Sequence, residues 1–276
     1  MKNIAKKLAA VAFVVLASST AFAGKGGSAT NIRDAIASHS SDAIIAEVER
    51  AESLGCPDCI QLVTNLTEDN RYEVREVAGW WFAKRPVLRD QLIVGFEQDL
   101  KSGDTTAVRN AADFIGASAS LKSLPALREA ITRDVGEDGK LALVRAVKTL
   151  AHTSGNVVLT TAMADRSPAV RAAAIKAWRD ILDQKDGSPA LALLSDSDAG
   201  VRADAATVAG AMNVTSAVAT LENLVVNDAD STVRSNAAWA LGKLHSTSSR
   251  AALTLASGDK SSLVRGVAKA ALAQLH

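Results

Sequence analysis

The chain has 276 residues, with 31 Lys and Arg against 30 Asp and Glu and a formal net charge of +1. A balance this even, with no basic cluster, excludes the electropositive face that a nucleic-acid binder needs. Apolar residues make up 48% of the chain, which excludes wholesale disorder; four Trp, one Tyr and five Phe among many alanines favour thin, closely packed helices over one large aromatic core.

Residues 1–23 have the layout of a cleavable secretory signal. Lys2, Lys6 and Lys7 precede the apolar run Leu8–Leu16, and the small-residue tripeptide Ala21-Phe22-Ala23 follows. The apolar run has nine residues, whereas roughly 20 are needed to span a bilayer. The pattern therefore predicts Sec-type export with cleavage after Ala23, to a Gram-negative periplasm or beyond it by secretion, and a mature chain that does not span the membrane. No Cys stands directly after the cleavage site, where Gly24 does, which argues against a lipid anchor. Three basic residues leave with the signal, so the mature chain from Gly24 carries 28 against 30 acidic ones, a net −2.

Residues 24–56 read as a linker and a helical cap. Ile44, Val48 and Ala51 recur with helical spacing but without the repeat signature that follows. At its end stands Cys56-Pro-Asp-Cys59, the only cysteine pair. In an exported protein two cysteines this close are expected to be oxidised to each other. Two other readings stay open: a redox-active pair at a helix N-terminus, or a metal site. The βαβ setting of thiol oxidoreductases is missing, and Ile60 stands where a haem-attachment motif needs His. Zinc would need two further ligands, and His39, His152, His245 and His276 are scattered, so no metal site is assigned.

From residue 57 to 276 the chain repeats. Val-Arg pairs end at Arg75, Arg109, Arg145, Arg171, Arg202, Arg234 and Arg265, spaced by 34, 36, 26, 31, 32 and 31 residues. Six residues before the Arg stands Asp69, Asp165, Asp196, Asp228 or Asp259; in the second and third repeats Asp104 is five before and Asp138 seven before. A small residue follows three after the Arg in every repeat but the third, which has Lys148. Each unit reads as an apolar helix, a polar turn with an Asp or Ser cap, and a second helix; Pro57, Pro86, Pro125, Pro168 and Pro189 fall at or near helix starts. Nothing alternates with period two for long enough to suggest a sheet. The Asp and Arg residues are expected to bond from turn to turn as a structural ladder.

This pattern resembles the HEAT-repeat family, most closely the short HEAT-like repeats of the phycobilisome-lyase type. Residues 227–244 (Asn227-Asp-Ala-Asp-Ser-Thr-Val-Arg through Leu244) and 258–272 carry the likeness best. The resemblance implies an all-α, right-handed α-solenoid of about seven helix pairs, with second helices lining a concave face and the N-terminal helical cap covering the first repeat. It does not imply lyase chemistry, because function belongs to sites rather than folds.

The candidate contact surface follows from helical geometry. If positions −1, +3, +4 and +7 from the Arg are buried, +5 points away from the core, with +2 beside it. Position +5 holds Trp80, Phe114, Leu150, Lys176, Thr207, Trp239 and Ala270, and +2 begins with Val77, Ala111 and Val147. Trp80, Phe114, Leu150, Trp239, Val77 and Val147 are thus the expected partner-binding residues on the concave face. The alternatives are that the cap covers them, or that the third repeat is out of register and Leu150 is core. No Gly-x-Ser-x-Gly, phosphate-binding loop or His-Glu-x-x-His is present, so no catalytic residue and no cofactor is assigned. The expected role is a non-enzymatic scaffold for a protein or peptide; the alternatives are a lipid or other hydrophobic carrier using the N-terminal groove, and a thiol redox or enzyme-accessory role through Cys56 and Cys59.

Overall fold

A computed structural model of the chain describes residues 28–54 and 56–275. The expected signal, 1–23, lies outside them. Every regular element among the described residues is helical. The first half holds α1 (Ala29–Ala37), α2 (Ser41–Arg50), α3 (Pro57–Leu66), α4 (Tyr72–Ala83), α5 (Pro86–Leu100), α6 (Thr105–Ala117), α7 (Leu124–Ala130) and α8 (Gly136–Leu150). There follow α9 (Asn156–Met163), α10 (Pro168–Arg179), α11 (Ser188–Leu193), α12 (Ala199–Ala211), α13 (Val218–Asn227), α14 (Ser231–Lys243), α15 (Arg250–Ala256) and α16 (Ser262–Gln274).

The helices form two compact units, divided between Val158 and Leu159 inside α9. In the first unit the second helices pack in sequence, α2 on α4, α4 on α6 and α6 on α8; in the second unit the sequence is α10, α12, α14 and α16. First helices pack behind them, α5 against α6 and α13 against α14. This is an α-solenoid arrangement, in which each pair buries its apolar face only against its neighbours. The N-terminal cap is itself a helix pair: α1 and α2 extend the stack, with Ile32, Ile44 and Val48 buried. Side-chain acceptors fix the starts of the second helices. Ser40, Asp104, Ser167, Asp198 and Asp230 each take a backbone N–H of the first turn.

Small residues set how closely second helices approach. A Cβ added at Gly210 would lie 2.7 Å from the Ala240 Cα, and one at Gly242 would lie 2.9 Å from the Ala271 Cβ. In both contacts the glycine is eight residues beyond the ladder Arg of its helix, and the alanine six beyond that of the next. The first unit has the same contact: a Cβ at Gly116 would lie 2.8 Å from the Ala146 Cα. Counting back eight from Gly116 and six from Ala146 gives Val108 and Lys140 as the equivalents of the ladder arginines. The spacings then become 33, 32, 31, 31, 32 and 31 residues.

Two of the seven Val-Arg pairs are therefore out of register. Arg75, Arg171, Arg202, Arg234 and Arg265 are each the fourth residue of their helix, whereas Arg109 is the fifth of α6 and Arg145 the tenth of α8. In α6 the slip is one residue, about 100° of rotation; in α8 it is five. Lys140 has Asp134 six residues before it, as the repeat requires, while Ser102 stands where the turn before α6 should have Asp. The third repeat is indeed out of register, but Leu150 is half-buried at the end of α8 rather than core.

Candidate functional site

In the second unit the arginines and aspartates form a regular ladder. Arg171 Nε and Nη2 donate to the two carboxylate oxygens of Asp196 at 2.8 and 2.7 Å. Arg202 does the same to Asp228 (2.8 and 3.0 Å), and Arg234 to Asp259 (2.8 and 3.0 Å). Each Arg Nη1 also donates to the carbonyl of the Asp that opens its own turn: Asp165, Asp196, Asp228 and, for Arg265, Asp259. The aspartates accept a backbone N–H two residues on, at 2.8 Å for Asp196. Each rung thus ties one turn to the next through a bidentate, charge-assisted fork.

These bonds hold the carboxylates ionised. The Arg171 guanidinium keeps Asp196 below the ordinary aspartate value of 3.8, and Arg234 does the same for Asp259. For Asp228, burial pushes upward, but the bonds from Arg202 and the Asp230 N–H outweigh it and the net shift is downward. A depressed folded value contributes stability above the unfolded pKa and loses it as pH falls through the folded one. The second unit is therefore expected to lose stability below about pH 3.8. Asp228→Asn should cost on the order of 1.5–3 kcal/mol at neutral pH, the scale of hydrogen bonds to charged groups. In urea titrations that difference should shrink as the pH falls toward 3.8 and below; a pH-independent difference would mean that the ladder charge is not what stabilises the turn.

In the first unit the ladder is rearranged. Asp69 receives no arginine from the cap pair; Arg71 in its own turn binds it (Nε to Oδ1, 2.8 Å) and holds its pKa down. Arg75 donates to the Asp69 carbonyl at 2.7 Å, but with Ser102 in the next turn it has no carboxylate ahead of it. It turns to Asp113 in α6, with Nε and Nη2 at 3.0 and 2.6 Å from Oδ2. Arg145 comes back from α8 to the other oxygen, Nε and Nη2 at 3.0 and 2.7 Å from Oδ1. The Asp113 side chain is 0% exposed, that of Arg75 3% and that of Arg145 34%. Arg145 also lies over the Tyr72 ring, 4.4 Å from its centroid, and the Tyr72 hydroxyl donates to Glu76. Burial, reinforced by Glu76, pushes the Tyr72 phenol above its ordinary range. Arg109, off the ladder, has its Nε 3.2 Å from Asn110 Oδ1 and its Nη2 buried without a hydrogen-bond partner. Corrected for register, Asp113 and Arg145 occupy the +5 position of their helices, so a buried charge network stands where an apolar stripe was expected.

The expected partner-binding residues divide accordingly. Phe114, 1% exposed, is core: it stacks on Phe96 of α5 with centroids 4.2 Å apart and meets Phe82 edge-on at 5.7 Å. The one-residue slip of α6 puts it at +6, on the packed side. Val147 (0%) and Val77 (7%) are also buried, so neither they nor Phe114 is open to a partner. Trp80 and Trp239 are half-exposed. Each has a lysine four residues on whose Nζ sits over the ring, Lys84 at 5.4 Å and Lys243 at 5.7 Å from the centroid. Beside Trp239 the same face carries the Lys176–Asp204 ion pair (3.1 Å) and Asn236, which donates to the Ala203 carbonyl.

Cys56 and Cys59 are disulfide-bonded, with Cα atoms 5.2 Å apart. Among the described residues no three His, Cys, Asp or Glu side chains cluster as a metal site would require, and no helix is long and apolar enough to cross a membrane.

Residues 187–273 match the family described as HEAT repeats. No curated protein matches the sequence. Among solved structures the chain is similar to the Escherichia coli protein YibA, at 16% identity over 90% of each chain with a TM-score of 0.55. Looser matches are human deoxyhypusine hydroxylase (17% identity, 100% and 97% covered, TM-score 0.40) and the CpcE–CpcF complex of phycocyanin lyase from Nostoc sp. (18%, 94% and 100%, TM-score 0.36). At this identity only the fold is shared, and only YibA carries that inference. The match to HEAT repeats thus covers the last three helix pairs, residues 187–273, where the Arg–Asp ladder is regular.

Proposed function

We propose that the chain is an exported, non-enzymatic scaffold that binds a protein partner through its second helices, anchored at Trp80 in the first unit and Trp239 in the second. The observation that carries this reading is the repeated pairing of a half-exposed Trp with a Lys over its ring. An indole plane with an ammonium at its face offers apolar area and a cation together, which suits a partner segment carrying an apolar residue beside a carboxylate; at Trp80 that carboxylate would compete with Glu52, which pairs with Lys84 at 3.3 Å. Partly exposed tryptophans on rigid helices are also the residue type that dominates interface energies.

The test is a crosslinked pull-down from the exporting cell with the Trp80→Ala/Trp239→Ala variant. A partner captured by the unaltered protein should be lost by at least about thirtyfold, the equivalent of a 2 kcal/mol hot spot. The fold should survive, since these rings are not fully buried and a fully buried Trp costs about 3–5 kcal/mol. Undiminished capture, or a co-purifying lipid in place of a protein, would overturn the reading. Export is tested separately: N-terminal sequencing of the exported protein should begin at Gly24, and retention of Met1 would contradict signal cleavage.

A further inference from the structure

The Cys56–Cys59 bond closes within the first turn of α3 and joins no two separate elements. A loop this short constrains the unfolded chain least of all, so the bond has little to do as a staple. The folded segment before it is held by other means. Trp81 Nε1 donates to the Ala51 carbonyl at 2.9 Å, and Arg85 Nη2 to the Leu54 carbonyl at 2.7 Å. The start of α3 is likewise independent of the S–S bond. Cys56 is the N-cap residue, Pro57 follows it inside the helix, and the Cys56 Sγ accepts the Cys59 N–H at 3.1 Å. A Cys56 thiolate would accept that same N–H more strongly, at the positive end of the helix dipole. The two sulfurs are also unlike in access: Cys56 is half-exposed beside exposed Pro57 and Asp58, whereas Cys59 is 0% exposed. Asp58, the carboxylate between them, is paired with Arg33 at 2.5 Å, which offsets its charge beside the sulfurs.

We propose that Cys56–Cys59 is a redox-active disulfide, with Cys56 the sulfur that a dithiol partner protein attacks and Cys59 the resolving one. This inference stands apart from the scaffold reading, because it uses neither tryptophan. In the exchange, a thiolate of the partner attacks Cys56 Sγ and forms the mixed disulfide, and Cys59 leaves as a thiolate that takes a proton from water. The partner's second thiolate then attacks its own sulfur in the mixed disulfide and releases Cys56 as a thiolate. The partner leaves as a disulfide; two electrons have passed to the Cys56–Cys59 pair, which ends as thiolate and thiol. Reoxidation runs the same steps backwards, with a disulfide partner as the electron acceptor.

The test uses the mature chain without denaturant. Dithiothreitol as the probe dithiol should make the Cys56 thiol reactive to maleimide, with the buried Cys59 thiol labelled fully only after denaturant is added, while far-UV CD and the thermal melt stay unchanged, and glutathione disulfide should restore the bond. Glutathione disulfide added to the Cys59→Ser variant should form a mixed disulfide at Cys56 at least about tenfold faster than at Cys59 in Cys56→Ser, a variant that keeps an oxygen to cap α3. A bond that opens only in denaturant, a helix that unravels on reduction, or equal rates at the two cysteines would each overturn the proposal.

Discussion

Replacing Asp113 with alanine is expected to destabilise the first unit by about 3–5 kcal/mol, the cost of removing one partner from a buried ion pair. The carboxylate is fully buried and accepts four hydrogen bonds, two from Arg75 and two from Arg145. The loss falls unevenly on the two arginines. Arg145 is 34% exposed on its side chain and stacked on Tyr72, so it can recover water, whereas the Arg75 side chain is 3% exposed and keeps only the Asp69 carbonyl. Arg145→Ala should therefore cost clearly less than Asp113→Ala. Replacing both buried members together, Arg75→Met with Asp113→Leu, should return much of the loss, because apolar residues of similar volume need no desolvated charge. Urea unfolding measures each variant, and amide exchange should confine the effect to residues 28–158. An Asp113→Ala cost below about 1 kcal/mol, the range of exposed ion pairs, would show that water already reaches the carboxylate.

The helical class and the stacking of pairs were legible because local signals agreed with one another: caps, prolines at helix starts and a repeat near 31 residues. The ladder partners in the second unit were legible for the same reason, since Asp196, Asp228 and Asp259 each sit six residues before the next Arg. The first unit misled because Val-Arg is a short and common pair. In α6 it falls one residue late, and in α8 five late, while Asp134 with Lys140 keeps the true spacing with the charge conserved but not the residue. Requiring the Asp six residues before the Arg would have rejected Arg109 and Arg145, and a uniform period would then have found Lys140 from sequence. The burial of Phe114 follows from that slip, because a rotation of about 100° moves a side chain from the open face to the packed one. Asp113 carried no local signal: its partners lie 38 and 32 residues away, and only the packing of α4 and α8 on α6 brings them to it. Trp80 and Trp239 were legible as candidates because their helices keep the regular register.

Phe114→Ala separates the core from the contact surface most sharply. Phe114 is 1% exposed and wedged between the stacked Phe96 ring and the edge of Phe82. Removing it deletes contacts across the α4, α5 and α6 junction and leaves a cavity that the backbone cannot easily fill, because Gly116 already seats α6 against the Ala146 backbone of α8. The expected cost is about 3–5 kcal/mol, a fall in melting temperature on the order of 10 °C for a chain of this size. A Phe96→Ala/Phe114→Ala cycle should show a coupling of about 0.5–1.5 kcal/mol beyond the area lost, as stacked rings do. Trp80→Ala, in the same unit but half-exposed, should move the melt by less while removing the proposed partner contact. If Phe114→Ala instead leaves the melt in place and abolishes partner binding, Phe114 lies on the open face, and the one-residue slip of α6 with the register built on Gly116 and Ala146 has to be abandoned.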